Sequence, residues 1–191
     1  MAIEKLKLEA VKTIEDFEAF IVQPENADRR FELINGRVVE KMPTQLHGWI
    51  VVFLSRFLLN YLDLHRIGRL YAEARYKMPD SDDNARIPDL SFVRNELGPV
   101  VKEGPAPYMP DLAIEVQSPD DTPKVMCEKV DYYLAHGSRM VWLIFTGAPS
   151  SRVEVYRTDQ PMQTIGMSDT LDGGDVLPGF TVLVQSFFPE E

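Results

Sequence analysis

Residues 111–117 read Asp-Leu-Ala-Ile-Glu-Val-Gln, and Ser118-Pro119 follows. Leu112, Ile114 and Val116 alternate with Asp111, Ala113, Glu115 and Gln117, the period-two pattern of a strand with one apolar and one polar face. Ser118-Pro119 stops that strand, because proline has no N–H to give a ladder. Thr122 then caps a helix with Pro123 at its first position, and Gly137 terminates it. Arg139 to Phe145 is a strongly apolar strand that belongs in the middle of a sheet.

Working back toward the N-terminus, Ile87 to Val93 reads as another strand and contains Pro88-Asp89. A loop bearing proline and glycine, Gly98 to Pro110, separates it from the first. Leu70 to Met78 reads as a strand, with a polar loop from Pro79 to Asn84. Before it comes a long helix, Gln45 to His65, in which Leu46, Trp49, Ile50, Phe53, Phe57, Leu58, Tyr61 and Leu62 recur at threes and fours and bury one broad face. Gly68 is read as its end. Phe31-Glu32-Leu33-Ile34, Asn35-Gly36 and Arg37-Val38-Val39-Glu40 make a β-hairpin, since Asn-Gly supplies the two positive φ angles of a type I′ turn. Two-residue closure sets Glu32 opposite Val39. Thr13, with Asp16 three residues later, opens a short helix carrying Ile14, Phe17 and Ile21.

Toward the C-terminus, Ser151 to Arg157 and Gln163 to Met167 form a hairpin, and Phe180 to Phe188 adds a last strand. The succession predicts an α/β fold, a mixed central sheet flanked by helices with an N-terminal β-hairpin. With 191 residues and neither repeat nor linker, a single domain over 1–191 is expected, residues 1–11 forming an N-terminal lead.

Composition narrows the function classes. The chain is 45% apolar and 26% charged, as an ordinary globular protein is. Its longest apolar runs, Ile50 to Leu54 and Val141 to Phe145, fall far short of the roughly 20 residues of a membrane span. The N-terminus lacks the apolar core of a signal peptide, and the single cysteine, Cys127, suits a reducing interior and reads as a packing residue. A cytoplasmic location is expected. Net charge is -10, which argues against loose attraction to nucleic acid while leaving room for an enzyme with local or metal-mediated contacts. The one basic stretch, Arg66, Arg69, Arg75 and Lys77, reads either as a solvated strand edge or as a strip for phosphate.

One constellation stands above this background. Asp89 follows a proline in one strand, and Glu115 stands 26 residues later on the polar face of the next, with Gln117 at i+2. Carboxylates projecting from one face of neighbouring strands can share a divalent cation, and hard oxygen ligands suit Mg²⁺. The competing reading makes both of them solvent-side residues. Lys129 shares a helix face with Val125 and Tyr133 at spacings of four, from which its ammonium could reach the carboxylates. The alternative is a snorkelling surface lysine paired on the side of Glu128 or Asp131. Glu32 is a further acidic candidate or a cross-strand surface residue. His47, at the start of the long helix, is a proton shuttle, a phosphate donor or a capping residue. Phosphate-loop, nucleophile-elbow and zinc-ligand patterns are missing from the sequence.

Taken in order, residues 31–39, Pro43 with His47, Ile-Pro-Asp-Leu-Ser-Phe-Val at 87–93, Pro-Asp-Leu-Ala-Ile-Glu-Val-Gln-Ser-Pro at 110–119, Lys129 with Tyr133, and Gly137 before Val141-Trp142-Leu143 resemble one family. It is the Uma-type restriction endonuclease family, long grouped as a domain of unknown function within the PD-(D/E)XK nuclease superfamily. The resemblance runs from about residue 12 to the C-terminus. It implies a restriction-endonuclease-like core, a phosphodiesterase centre using Mg²⁺ (or Mn²⁺), a nucleic-acid substrate, most naturally DNA, and a homodimer. Carried onto this chain, Asp89, Glu115 and Glu32 become the acidic groups, Asp89 and Glu115 the metal ligands, and Lys129 the helix-borne catalytic lysine. Gln117 stands where the superfamily motif has lysine. It offers an amide for alignment and no charge. His47 and Tyr133 are possible accessory residues, and Arg69, Arg75 and Lys77 possible phosphate contacts.

The expectation is therefore a metal-dependent endodeoxyribonuclease. Its rivals are a catalytically degenerate module of the same fold that binds nucleic acid or protein without cleavage, and a metal-dependent hydrolase of another phosphate-bearing substrate.

Overall fold

A computed structural model describes residues 11–78, 80–119, 121–147 and 150–190. Of the expected N-terminal lead only Val11 is described, and Pro79 of the expected polar loop lies outside the described residues. The chain divides into two compact units, one formed by residues 1–42, 74–87 and 100–109, the other by 43–73, 88–99 and 110–191.

In the first unit, helix α1 (Ile14–Ile21) begins at a capping box. Thr13 Oγ1 accepts the Asp16 N–H, and the Asp16 carboxylate accepts the Thr13 N–H. Strands β1 (Arg30–Ile34) and β2 (Arg37–Lys41) form the expected hairpin, with Glu32 opposite Val39. The turn residues Asn35 and Gly36 have φ of 49° and 66°, as a type I′ turn requires. Leu33 exchanges backbone hydrogen bonds with Ala85, so the backbone at Ala85 lies beside β1 on the side away from β2. Phe17, Phe20, Phe31, Leu33 and Ala85 form a small core of their own.

The second unit is built on six strands in the order β3-β4-β5-β6-β7-β8. They are β3 (Gly68–Ala72), β4 (Leu90–Arg94), β5 (Leu112–Val116), β6 (Met140–Phe145), β7 (Arg152–Arg157) and β8 (Gln163–Gly166). Only β5 and β6 pair in parallel, because helix α3 (Pro123–Ala135) carries the chain between them; every other neighbour is antiparallel. Alternation gives each strand two faces. Leu112, Ile114, Val116, Trp142, Ile144, Val153 and Val155 share a core with Ile50, Leu54 and Leu58 of helix α2 (Gln45–His65). Ala113 and Glu115 lie on the opposite face, toward α3. The first core is completed by the C-terminal segment, where β9 (Thr170–Asp172) pairs with β10 (Thr181–Leu183). Every residue of β6 is buried, as its apolar sequence predicts.

Several boundaries differ from the sequence reading. The strand expected over 70–78 is only β3, because Glu73 adopts a φ of 50° and ends the extended run. Helix α2 ends at Arg66, left-handed at φ 52°, rather than at Gly68, which starts β3. Asp89 precedes β4 instead of lying inside it. The strand expected over 180–188 is the short β10 followed by a 3₁₀ turn at Val184–Phe187, and β9 escaped notice. Cys127 is exposed on α3 rather than packed. Among the described residues no helix is long and apolar enough to cross a membrane.

Candidate functional site

Glu115 lies in β5 between β4 and β6, and its side chain is fully buried. A carboxylate taken out of water needs partners, and α3 supplies them. Lys129 Nζ donates to Glu115 Oε2 at 3.0 Å, and Tyr133 Oη donates to Glu115 Oε1 at 2.8 Å. One helical turn separates Lys129 from Tyr133, so both project from one face and grip the two oxygens of one group. The surface reading of Lys129 is overturned, since its side chain is 7% exposed; Glu128 pairs instead with Lys124 at 3.8 Å. Lys129 Nζ also lies 3.7 Å from Asp121 Oδ1. Asp121 was not singled out from the sequence. It stands one residue before the cap Thr122 and is held in place by the Ser118 N–H, which it accepts at 2.9 Å.

Asp89 is placed by the end of a ladder. Leu90, the first residue of β4, pairs with Ile114, so Asp89 stands just before that pair on one strand and Glu115 just after it on the other. Asp89 Oδ2 accepts the Val116 N–H at 2.7 Å. His47, in the first turn of α2, brings Nε2 within 3.0 Å of the same oxygen. Both side chains are buried, at 7% and 4% exposure, so His47 is neither a surface residue nor a helix cap; Thr44 is the cap. Asp89, Glu115, Lys129, Tyr133 and His47 are thus all anchored around the junction of β4 and β5.

The other candidates have partners of their own. The Gln117 amide links backbone groups, donating to the Asp121 carbonyl at 3.2 Å and accepting the Thr146 N–H at 3.4 Å. It ties the end of β5 to the end of β6 and to the approach to α3. Glu32 belongs to the first unit, where its buried carboxylate accepts the Ile87 N–H at 2.7 Å, so the surface alternative for it is wrong. The residues of the basic stretch fall in both compact units. Arg69, in the second unit, donates to the Gly98 carbonyl at 3.2 Å. Arg75 and Lys77 are in the first unit, Arg75 paired with Glu18 at 2.5 Å.

A second buried acid, Glu154, escaped the sequence reading. It shares a rung with Leu143 and Glu115 but is neutralised locally, by Arg152 at 2.7 Å and by the Tyr156 hydroxyl at 2.7 Å. Burial, first, and then the Glu154 carboxylate push the Tyr156 phenol above the ordinary tyrosine range.

Among the described residues no three His, Cys, Asp or Glu side chains gather as a metal cage. Mg²⁺ does not demand one, since it is commonly held by one or two carboxylates together with waters and substrate phosphates. Lys129 lies between Glu115 and Asp121. Asp89, just before β4, and Glu115, in the adjacent strand β5, are two hard oxygen donors. That donor set fits a Mg²⁺-like cation.

Comparison with known proteins bears on the family and the fold. A family model described as "Putative restriction endonuclease" (Uma2) matches residues 14–185. The crystal structure of a protein from Anabaena variabilis ATCC 29413, described as a putative nuclease belonging to DUF820, superposes with a TM-score of 0.75. The match covers 92% of this chain and 97% of that one at 24% sequence identity, a likeness of fold. No curated relative matches the chain. With the family model spanning both compact units, this chain belongs to the Uma2 restriction endonuclease family.

Proposed function

We propose that the protein is a Mg²⁺- or Mn²⁺-dependent endonuclease that hydrolyses DNA phosphodiester bonds, with Asp89 and Glu115 as the residues that hold the cation. The observation that carries this reading is the environment of Glu115. It is a fully buried carboxylate bonded at once by a lysine and a tyrosine from the following helix, and the residue before the neighbouring strand, Asp89, is a second buried carboxylate. Placing these groups in the interior is unfavourable for folding unless they serve something else. A divalent ion bound there would polarise the phosphodiester and make water more acidic.

The chain's own residues have separable tasks in this reading. Lys129 supplies positive charge to the scissile phosphate as negative charge builds on it. Tyr133 holds Glu115 in one orientation through Oε1, and His47 with the Val116 N–H does the same for Asp89 through Oδ2. Gln117 aligns the strand ends that carry the acids. Arg69, in the same compact unit as the two acids, contacts a phosphate flanking the cut. A net charge of -10 is compatible with this, since the attraction to DNA is then local and ion-mediated. The active species is proposed to be a homodimer in the cytoplasm.

The test is incubation of supercoiled plasmid with the purified protein and Mg²⁺ or Mn²⁺. Wild type converts it to nicked and linear forms, whereas Glu115→Gln and Asp89→Asn are slower by about 100-fold or more. Equal rates for all three proteins would overturn the reading. A second reading is favoured by one observation, the engagement of both Glu115 oxygens by α3. It is a module that binds nucleic acid without cutting it, and DNA binding without metal uptake in calorimetry would select it.

A further inference from the structure

Lys129 does more than stand ready for a phosphate. Its ammonium lies between two carboxylates, 3.0 Å from Glu115 Oε2 and 3.7 Å from Asp121 Oδ1, with the whole side chain 7% exposed. Glu115 has no exposure to water, so its charge is balanced within the protein. A cation arriving at Glu115 meets a position already served by a cation. Asp121 is a second acceptor within a small movement of the same ammonium, and it is pre-positioned by the Ser118 N–H. Tyr133 keeps its bond to the other oxygen of Glu115 whichever cation is present.

We infer that Lys129 is a resident counter-ion of the metal-free site, exchanged for the divalent ion. Metal binding at Glu115 moves the ammonium toward Asp121, where it becomes available to an incoming phosphate. The coupling makes the lysine catalytically useful only once metal has bound, and it rests on the metal reading given above. It also lowers metal affinity, because part of the attraction between the ion and Glu115 goes to displacing a bound charge.

Two measurements on the full chain test it, with Mn²⁺ alone as probe. In calorimetric titration, Lys129→Met is expected to bind Mn²⁺ about tenfold tighter than wild type, or more. In wild type, the rate of Lys129 acetylation followed by mass spectrometry is expected to rise severalfold when Mn²⁺ is added. Lys124, 85% exposed in the same helix, serves as the unchanged control. The second readout needs no variant, so it decides the matter if Lys129→Met does not fold. Mn²⁺ binding to wild type with unchanged Lys129 acetylation, or with no gain in the Lys129→Met protein, overturns the exchange and leaves the metal reading standing. Absence of Mn²⁺ uptake by both proteins overturns the metal reading and the exchange with it.

Discussion

Lys129 Nζ and Glu115 Oε2 stand 3.0 Å apart beneath helix α3, in a pair whose side chains are 7% and 0% exposed. Such a pair is a poor source of net stability, yet removing one member strands the other in a medium that cannot solvate it. Lys129→Met is expected to lower unfolding stability by about 3–5 kcal/mol, and replacing both residues by apolar ones of similar size to recover most of that. Tyr133→Phe, which deletes one hydrogen bond to a charged group, is expected to lower it by about 1.5–3 kcal/mol. Urea denaturation of the three variants checks the order.

His47 ties the first turn of α2 to the residue before β4 through Asp89 Oδ2. His47→Ala is expected to cost about 1.5–3 kcal/mol and to weaken Mn²⁺ binding, because Asp89 loses one of its two described anchors. His47→Asn, which can donate from a similar position, should restore part of the metal affinity. Calorimetry of the two variants distinguishes orientation of the carboxylate from simple packing, which would leave them alike.

Tyr156 provides a pH signature away from the site. Its phenol is raised first by burial and then by its bond to Glu154, so the neutral form is favoured in the folded protein. A raised folded value means that this contribution is fully present below the unfolded tyrosine value of about 10 and is lost as pH rises through the folded value. Ultraviolet titration at alkaline pH should therefore show Tyr156 among the late-ionising tyrosines, with Tyr61, which burial also raises, and Tyr156→Phe should remove one late-ionising group.

Gly68 opens β3 against a wall. A Cβ placed there would meet the Val93 carbonyl oxygen and Phe92 Cε2 at 2.4 Å each, contacts that only backbone movement could relieve. Gly68→Ala is expected to destabilise by about 1–3 kcal/mol, measurable as a drop in Tm.

How much of this could be read from the chain depends on whether the signal was local. Asn35-Gly36 determines its own turn, and the apolar spacing from Leu46 to Leu62 marked the body of α2, though not its left-handed end at Arg66. The alternation over 111–117 placed Glu115 on the α3 face, and the four-residue steps placed Lys129 and Tyr133 together. Glu73 carries no residue-type signal for its positive φ, so the end of β3 was invisible. Trp49 and Phe53 fit the helical stripe, yet they stack on each other 4.2 Å apart with Trp49 42% exposed, because the sheet and C-terminal segment reach only part of α2. The burial of Lys129, the pairing of His47 with Asp89 and the role of Asp121 arise from long-range packing that local spacing does not encode. The basic stretch at 66–77 looked continuous because sequence neighbours need not share a compact unit.

The account rests on Asp89 and Glu115 holding one cation together. The most direct measurement is anomalous diffraction from crystals soaked in Mn²⁺. The account predicts a single peak contacted by oxygens of both carboxylates, with Lys129 Nζ withdrawn from Glu115 toward Asp121. A map with no peak there, or one in which Mn²⁺ binds elsewhere while Lys129 stays on Glu115, would contradict it.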